Sequence, residues 1–255
     1  GRWLVSDRGV ALVTGAGARL GKSMAESLGA DGWAVGVHYR SSSHGADDTA
    51  AEIERAGGKA ATIQADLADA ASRSTLIERA AASFGGPVTL LINSASTFEN
   101  DTAKTYTSDD WDFHFDVNLR APVDLAQSFS AALPDNMQGL IINLIDQRVW
   151  KLNPTFFTYT LSKSALWTAT RTLAQALAPN VRVNAIGPGP TLASIHQSDQ
   201  VFSNEAKNTL TQRGSSPEEI IRTMRYLINA TAVTGQMIAV DGGQHLMWQT
   251  PDVDV

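Results

Sequence analysis

Cysteine is absent from the 255 residues, which removes disulfides, thiolate metal sites and a thiol nucleophile, and suits a reducing compartment. No apolar run is long enough to span a bilayer. The opening Gly1-Arg2-Trp3-Leu4-Val5-Ser6-Asp7-Arg8 has neither an apolar h-region nor a small-residue cleavage site, so export is not expected and a cytoplasmic location is the default. Positive charge is in short supply: 20 Lys and Arg face 26 Asp and Glu, a net charge of −6. That balance speaks against broad polyanion binding, so nucleic acid is not an expected partner, although a local cationic pocket for one phosphate is compatible with it. His38, His44, His114, His196 and His245 show no metal-ligand spacing, and no metal is expected. The six tryptophans are scattered, as core or subunit-contact residues would be, rather than grouped as a stacking platform.

No linker, repeat or low-complexity stretch divides the chain, and 43% hydrophobic residues suffice for an extensive core, so one domain is expected. Short apolar runs alternate with helical patterns, the signature of βα units building a parallel sheet. Strands are predicted near Gly9–Thr14, Ala34–Tyr39, Ala60–Ala65, Val88–Asn93, Gly139–Ile145, Val181–Ile186 and Gln236–Val240. Helices are predicted near 19–31, 44–57, 70–84, 108–133, 155–178 and 217–229, the last opened by Ser216-Pro217-Glu218-Glu219. Seven strands imply a doubly wound sheet with helices on both faces, its nucleotide half at about 9–145 and its catalytic half at about 146–247. The polar, poorly periodic stretch from Gly187 to Ser215 reads as a long loop with a short helix, an arrangement suited to a lid.

After the first strand, Thr14-Gly15-Ala16-Gly17-Ala18-Arg19-Leu20-Gly21 leads into a helix. Glycines there let backbone amides approach a pyrophosphate at the positive helix end, though on their own they also make a tight turn. The second strand runs out through His38-Tyr39-Arg40-Ser41, where an NAD site usually carries an acid for the ribose 2′-hydroxyl. Arg40 and the serines instead offer donors to a 2′-phosphate, which favours NADPH; the plainer reading of Arg40 is a solvated loop charge.

Tyr159 and Lys163 are four residues apart, and Asp146 lies thirteen residues before Tyr159, at the end of an apolar run. A helix puts Tyr159 and Lys163 on one face, where the ammonium can favour the phenolate and make the tyrosine a usable acid. Moving a tyrosine three units from its ordinary pKa of ~10 takes roughly 4 kcal/mol, within reach of one partly desolvated ammonium plus a cationic nicotinamide. Asp146 also fits a plain turn cap.

Together with Asn93-Ser94-Ala95-Ser96, Asn118, Pro188-Gly189 and Asp241-Gly242-Gly243, these motifs stand in an order that resembles the short-chain dehydrogenase/reductase family. The resemblance spans nearly the whole chain. It implies a Rossmann-like domain with a nicotinamide cofactor held by Gly15, Arg19, Leu20, Gly21, His38, Tyr39, Arg40, Ser41, Asp66, Leu67, Asn93, Ser94, Ala95, Pro188, Gly189 and Thr191. It further implies that Tyr159 is the proton donor, that Lys163 binds the nicotinamide ribose and lowers the tyrosine pKa, and that Asn118 supports a water relay. Asp66 would contact adenine, the segment Thr191-Leu192-Ala193-Ser194 would lie near the cofactor, and a homotetramer with Trp248 near a neighbouring subunit would be the family habit.

Two departures sharpen the resemblance. Arg19 stands where the family usually has glycine, and Asp146 stands where it has a catalytic serine. Both changes, with Ser96-Thr97-Phe98, make the chain look like the pteridine reductase branch. In that branch Arg19 would reach the cofactor phosphates and the substrate, Ser96 would hydrogen-bond ligand or cofactor, Phe98 would stack on a pterin ring, and Asp146 would work beside Tyr159. A carboxyl suits a C=N substrate, because it can bind an amino-pyrimidine edge or deliver a proton, whereas a serine suits a ketone. The competing expectations are a ketone reductase acting on a sugar or 3-oxoacyl substrate, and a dinucleotide sensor without catalysis.

Overall fold

The computed structural model describes residues 8–191 and 199–253. Seven parallel strands form one sheet: β1 (Val10–Val13), β2 (Ala34–Tyr39), β3 (Lys59–Gln64), β4 (Val88–Asn93), β5 (Gly139–Leu144), β6 (Val181–Pro188) and β7 (Met237–Val240), in the order β3-β2-β1-β4-β5-β6-β7. Every residue of β1 and β5 is buried, which explains why they read as unbroken apolar runs: helices cover both faces. Successive residues of β1 serve opposite cores. Val10 and Leu12 meet Leu76, Leu125 and Phe129 on one side, whereas Ala11 and Val13 join Met24, Ile53 and Met224 on the other.

The helices supplying those faces are α1 (Arg19–Ala30), α2 (Ser43–Arg55), α3 (Ala70–Ser74), α4 (Leu76–Phe84), α5 (Ser108–Phe115), α6 (Ala121–Ala132), α7 (Phe157–Leu177), α8 (Asp199–Lys207) and α9 (Pro217–Asn229). Two single helices of the sequence reading are broken. The 70–84 helix is interrupted at Thr75, after Arg73 has turned inward to donate to Asp124 on α6 and to the Leu67 carbonyl. The 108–133 helix contains a π-turn at Asp116–Arg120 between α5 and α6, a local widening that hydrophobic spacing does not reveal. The stretch from Gly187 to Ser215 does contain a helix, α8; Leu192, Ala193 and Ser194 fall outside the described residues.

Strand β6 also secures the far end of α9. Arg182 Nη1 donates to the carbonyls of Leu227, Ala230 and Val233, and Nη2 to that of Ile228, at 3.0 to 3.2 Å. A cation there satisfies carbonyls that a helix C-terminus leaves free and opposes the negative end of its dipole. Arg182→Met is expected to destabilise the fold by about 2–3 kcal/mol, the range for charge-assisted hydrogen bonds. Urea unfolding at constant protein concentration checks this, and a change within experimental error would mean that water replaces the arginine without loss.

Candidate active site

The strand order reverses between β1 and β4, so their carboxyl ends open a crevice. Thr14 holds that crevice together: its Oγ1 accepts from the Ser94 and Ala95 amides at 3.1 and 3.0 Å. Gly15 has φ +62°, and a Cβ there would lie 2.8 Å from Ala95 Cα; a Cβ on Gly21 would collide with the Gly15 carbonyl. The turn therefore needs glycine at both positions to bring backbone close to a ligand. Arg19 has φ +53°, a left-handed conformation that the glycine usual at this place adopts freely and arginine does not.

His38 is part of this floor. Its Nδ1 accepts from the Gly15 amide at 3.0 Å, so the proton is on Nε2, which donates to the Ala65 carbonyl at 3.0 Å. Both ring nitrogens are thus committed to joining the glycine turn, β2 and the end of β3. Burial pushes the His38 pKa down from 6.5 to about 4, against the upward pull of the Ala65 bond. Arg40, beyond the strand end, sits 3.8 Å from Asp66 Oδ1 and 5.3 Å from the Phe113 ring centroid, with more than half of its side chain exposed.

The reactive side of the cleft is made by β5 and α7. Asp146 follows β5 and uses both carboxylate oxygens: Oδ1 accepts from the Arg148 amide at 2.8 Å, capping the turn Gln147–Trp150, and Oδ2 accepts from the Tyr159 hydroxyl at 3.0 Å. The cap and the site roles coexist. Tyr159 and Lys163 belong to the buried stripe of α7 with Ser162, Leu166, Thr170 and Ala174, a helical repeat that turns them towards the sheet. Lys163 Nζ donates to the Leu144 carbonyl at 2.8 Å and lies 5.9 Å from the Tyr159 ring centroid.

The side chains around Tyr159 favour the phenol over the phenolate. Burial and the neighbouring Asp146 carboxylate drive the Tyr159 pKa well above its ordinary value, with Arg148 and a Ser96 hydrogen bond pulling the other way. Burial pushes the Lys163 pKa down to about 8 against the upward pull of Asp146, which leaves the ammonium largely charged at neutral pH. Burial also lifts Asp146 above the usual carboxylate range, opposed by the Arg148 amide, the Arg148 charge, Tyr159 and Lys163. In this protein alone, Tyr159 is held as a protonated donor.

Helix α7 begins without a cap of its own: Phe156 has φ +51° and no side-chain cap. The segment after Phe98 does that work. Asn100 Oδ1 accepts from the Phe156 amide at 3.2 Å, the Asp101 carbonyl from Phe157 at 3.2 Å, and Asp101 Oδ1 from Thr158 at 3.0 Å. The Thr158 hydroxyl donates to Asp101 Oδ2 and receives His114 Nδ1–H at 2.7 Å, while His114 Nε2 accepts from the Glu99 amide at 3.1 Å. Asp101, Thr158 and His114 are all buried.

A cleft of about 930 Å³ gathers most of the expected residues. Gly15, Arg19, Leu20, Gly21, His38, Arg40, Asp66, Leu67, Ser94, Ala95, Ser96, Phe98, Asp146, Tyr159, Lys163, Pro188, Gly189 and Thr191 line it. Tyr39, Ser41, Asn93 and Asn118 do not. Asn93 donates to Asn143 across β4 and β5 at 2.8 Å. Asn118, on the π-turn, spends its side-chain amide on Thr97 N, Thr97 O and Ser162 Oγ, which clamps the Thr97 loop to α7. Phe98 lines the cleft, with Phe156 stacked on it at 4.3 Å and Tyr159 in a T-shaped contact at 4.8 Å, so two neighbouring rings already pack on it. Arg148, Gln147, Phe113 and Phe156 are among the further lining residues that no sequence motif marks.

Two tests follow from the geometry. As pH falls, the unfolded chain takes up the His38 proton from 6.5 downward and the fold only near 4, so stability present above 6.5 is lost through that window, by about 3 kcal/mol in full. Thermal unfolding of wild type and His38→Gln over pH 4 to 7 should differ in slope there; equal slopes would show that His38 carries no such linkage. Thr158→Val should lower kcat about tenfold with cofactor affinity retained, and Thr158→Ser should restore it, since misplacing a reacting group slows chemistry without touching the dinucleotide floor. Equal losses in kcat and cofactor affinity would mark a general structural defect instead.

Comparison with known proteins places this architecture. Residues 15–245 match the family model described as enoyl-(acyl carrier protein) reductase. The crystal structure of FolM alternative dihydrofolate reductase 1 from Brucella suis in complex with NADP is 48% identical, with a TM-score of 0.92 over 96% of this chain and 98% of that one. The Brucella canis FolM complexed with NADP is 46% identical, with a TM-score of 0.94 over the full length of both. A 3-oxoacyl-[acyl-carrier-protein] reductase from Synechocystis sp. is 33% identical over 242 residues, 92% of this chain and 96% of the relative. With its seven-stranded parallel sheet and its Tyr159–Lys163 helix, this chain belongs to the short-chain dehydrogenase/reductase family of oxidoreductases.

Proposed function

We propose that this protein is an NADPH-dependent reductase of a pterin-like heteroaromatic substrate. The observation that carries the reading is the 3.0 Å bond from Tyr159 to Asp146, a carboxyl placed beside the proton donor of a family that usually has a hydroxyl there. The residues on hand suit the dinucleotide. The glycine turn and the start of α1 would take its phosphates, Arg19 and Arg40 would meet phosphate charge, Asp66 the adenine end, and Lys163 the nicotinamide ribose. When bound, NADPH supplies the hydride.

The chain supplies the rest. Reduction of C=N adds hydride to carbon and a proton to nitrogen. Tyr159, kept protonated by burial and by Asp146, holds that proton at its hydroxyl. Asp146, lifted by burial, can pass a proton to the phenol or receive an amino-pyrimidine edge on its carboxylate. Ser96 and Phe98 line the cleft beside the phenol, Phe98 offering an aromatic neighbour to the substrate ring. The close FolM neighbours, alternative dihydrofolate reductases by name and bound to NADP, support the same substrate class and cofactor.

A ketone reductase is the second reading. It is favoured by the Ser96 hydroxyl, which lines the cleft with Tyr159 and could polarise a carbonyl, and by the 3-oxoacyl reductase relative. Steady-state assays with NADPH should show turnover of dihydrobiopterin or dihydrofolate and little of simple ketones; turnover of ketones alone would replace the pterin reading. Tyr159→Phe should lower kcat by about 10²-fold or more with NADPH affinity retained, the range for general acid catalysis. Unchanged turnover in that variant would remove Tyr159 from the chemistry.

A further inference from the structure

A buried cation stands behind one wall of the dinucleotide cleft. Arg73, the fourth of the five residues of α3, is 3% exposed, and its guanidinium holds two partners at once. Nε and Nη2 donate to Asp124 Oδ2 at 3.0 and 2.8 Å, and Nη1 donates to the Leu67 carbonyl at 2.9 Å. A cation buried beside a half-exposed carboxylate contributes little to stability over an apolar side chain of like volume. What an apolar side chain cannot do is bond a carbonyl and a carboxylate across a fixed distance, as the planar guanidinium does. The arrangement has the form of a strut.

Both ends of the strut belong to elements that line the cleft. At one end is the corner Asp66-Leu67, two lining residues. The Ser72 hydroxyl accepts from the Asp66 amide at 2.8 Å, the Asp66 carbonyl from the Asp69 amide at 3.1 Å, and Asp69 caps α3 by accepting from the Ser72 amide at 2.7 Å. A five-residue helix is not stable by itself, so corner and helix form one piece that needs an outside anchor. At the other end, Asp124 lies in the first turn of α6, which continues directly from the π-turn. Val117 of that turn and Phe113 of α5 line the same cleft. The two walls stand within the span of one side chain, because Arg40 lies 3.8 Å from Asp66 Oδ1 and 5.3 Å from the Phe113 ring centroid.

Resting on the placement of adenine beside Asp66, we infer that Arg73 and Asp124 are positioning residues for the dinucleotide. Their ion pair sets the spacing between the Asp66-Leu67 wall and the Phe113-Val117 wall, where the adenine end is received. Neither residue lines the cleft, so the effect passes through Leu67 on one side and α6 on the other. A binding site keeps its shape only as well as the residues behind it are held.

The test measures Kd for NADPH by its fluorescence, and for adenosine 2′,5′-bisphosphate, which carries the adenine end alone, by displacement of NADPH. Arg73→Met should weaken both ligands by the same factor, about tenfold, with a cooperative thermal transition showing that the variant is folded. Arg73→Lys keeps the charge but not the fork, and should fall between wild type and Arg73→Met. Asp124→Asn, at a half-exposed site, should weaken both ligands about threefold. An unchanged bisphosphate Kd in Arg73→Met, or in Asp124→Asn where Arg73→Met does not fold, overturns the assignment. So does a loss for NADPH larger than that for the bisphosphate, because a general loosening also reaches the nicotinamide half. Wild type that binds NADPH but not the bisphosphate removes the adenine placement itself, and the strut with it.

Discussion

The bond between Asp146 and Tyr159 is the constraint around which the catalytic half is arranged. It joins the end of β5 to the first turn of α7 at the wall of the cleft. Burying a carboxyl and a phenol together is unfavourable for either anion, and the structure answers with fixed donors: the Arg148 amide on Oδ1, the phenol on Oδ2, and Lys163 at hand on the Leu144 carbonyl. The result is a pair whose protons are retained by the surroundings. Such a pair is suited to giving a proton up when hydride arrives on a neighbouring carbon, and less suited to standing as a ready phenolate.

The dinucleotide floor obeys a different logic. Thr14 ties β1 to β4, and His38 ties the glycine turn to β2 and β3, so the place where phosphates would rest is fixed by strand ends and buried hydrogen bonds. Because His38 needs one bare and one protonated nitrogen, the tie exists only for the neutral imidazole. Arg19 is then a deliberate exception in a turn otherwise built for glycine: a left-handed arginine is tolerated where its charge faces the cleft.

Much of this was legible in the sequence because it rests on local patterns. The strands β1 and β5 announce themselves as doubly buried runs, the glycine turn follows β1 directly, and Tyr159 and Lys163 share a helical stripe with Ser162 and Leu166. What stayed hidden depends on partners far apart in the chain. The bonds of the Asn118 amide to Thr97 and Ser162 join residues far apart in the chain, and the π-turn that presents it leaves no mark on hydrophobic spacing. The depth of Tyr159 and the arrival of Asp146 beside it are hidden for a related reason: an i,i+4 lysine is visible in sequence, whereas long-range partners are not. Phe156 and Arg148 carry no motif, yet they form one wall of the cleft.

Helix α7 draws these strands of argument together. Its first amides are satisfied by Asn100 and Asp101, the residues that follow Phe98, so the loop expected to hold a substrate ring is also the cap of the helix that carries the acid. His114 closes the arrangement by bonding that loop and Thr158 at once. Ring surface and proton donor therefore cannot shift independently: a displacement of Phe98 would pull on the cap, and fraying of α7 would release Phe156 from Phe98. Specificity in this fold usually varies through its loops while the scaffold persists. Here the 98–101 loop caps α7, so a change in that loop would be felt at Tyr159.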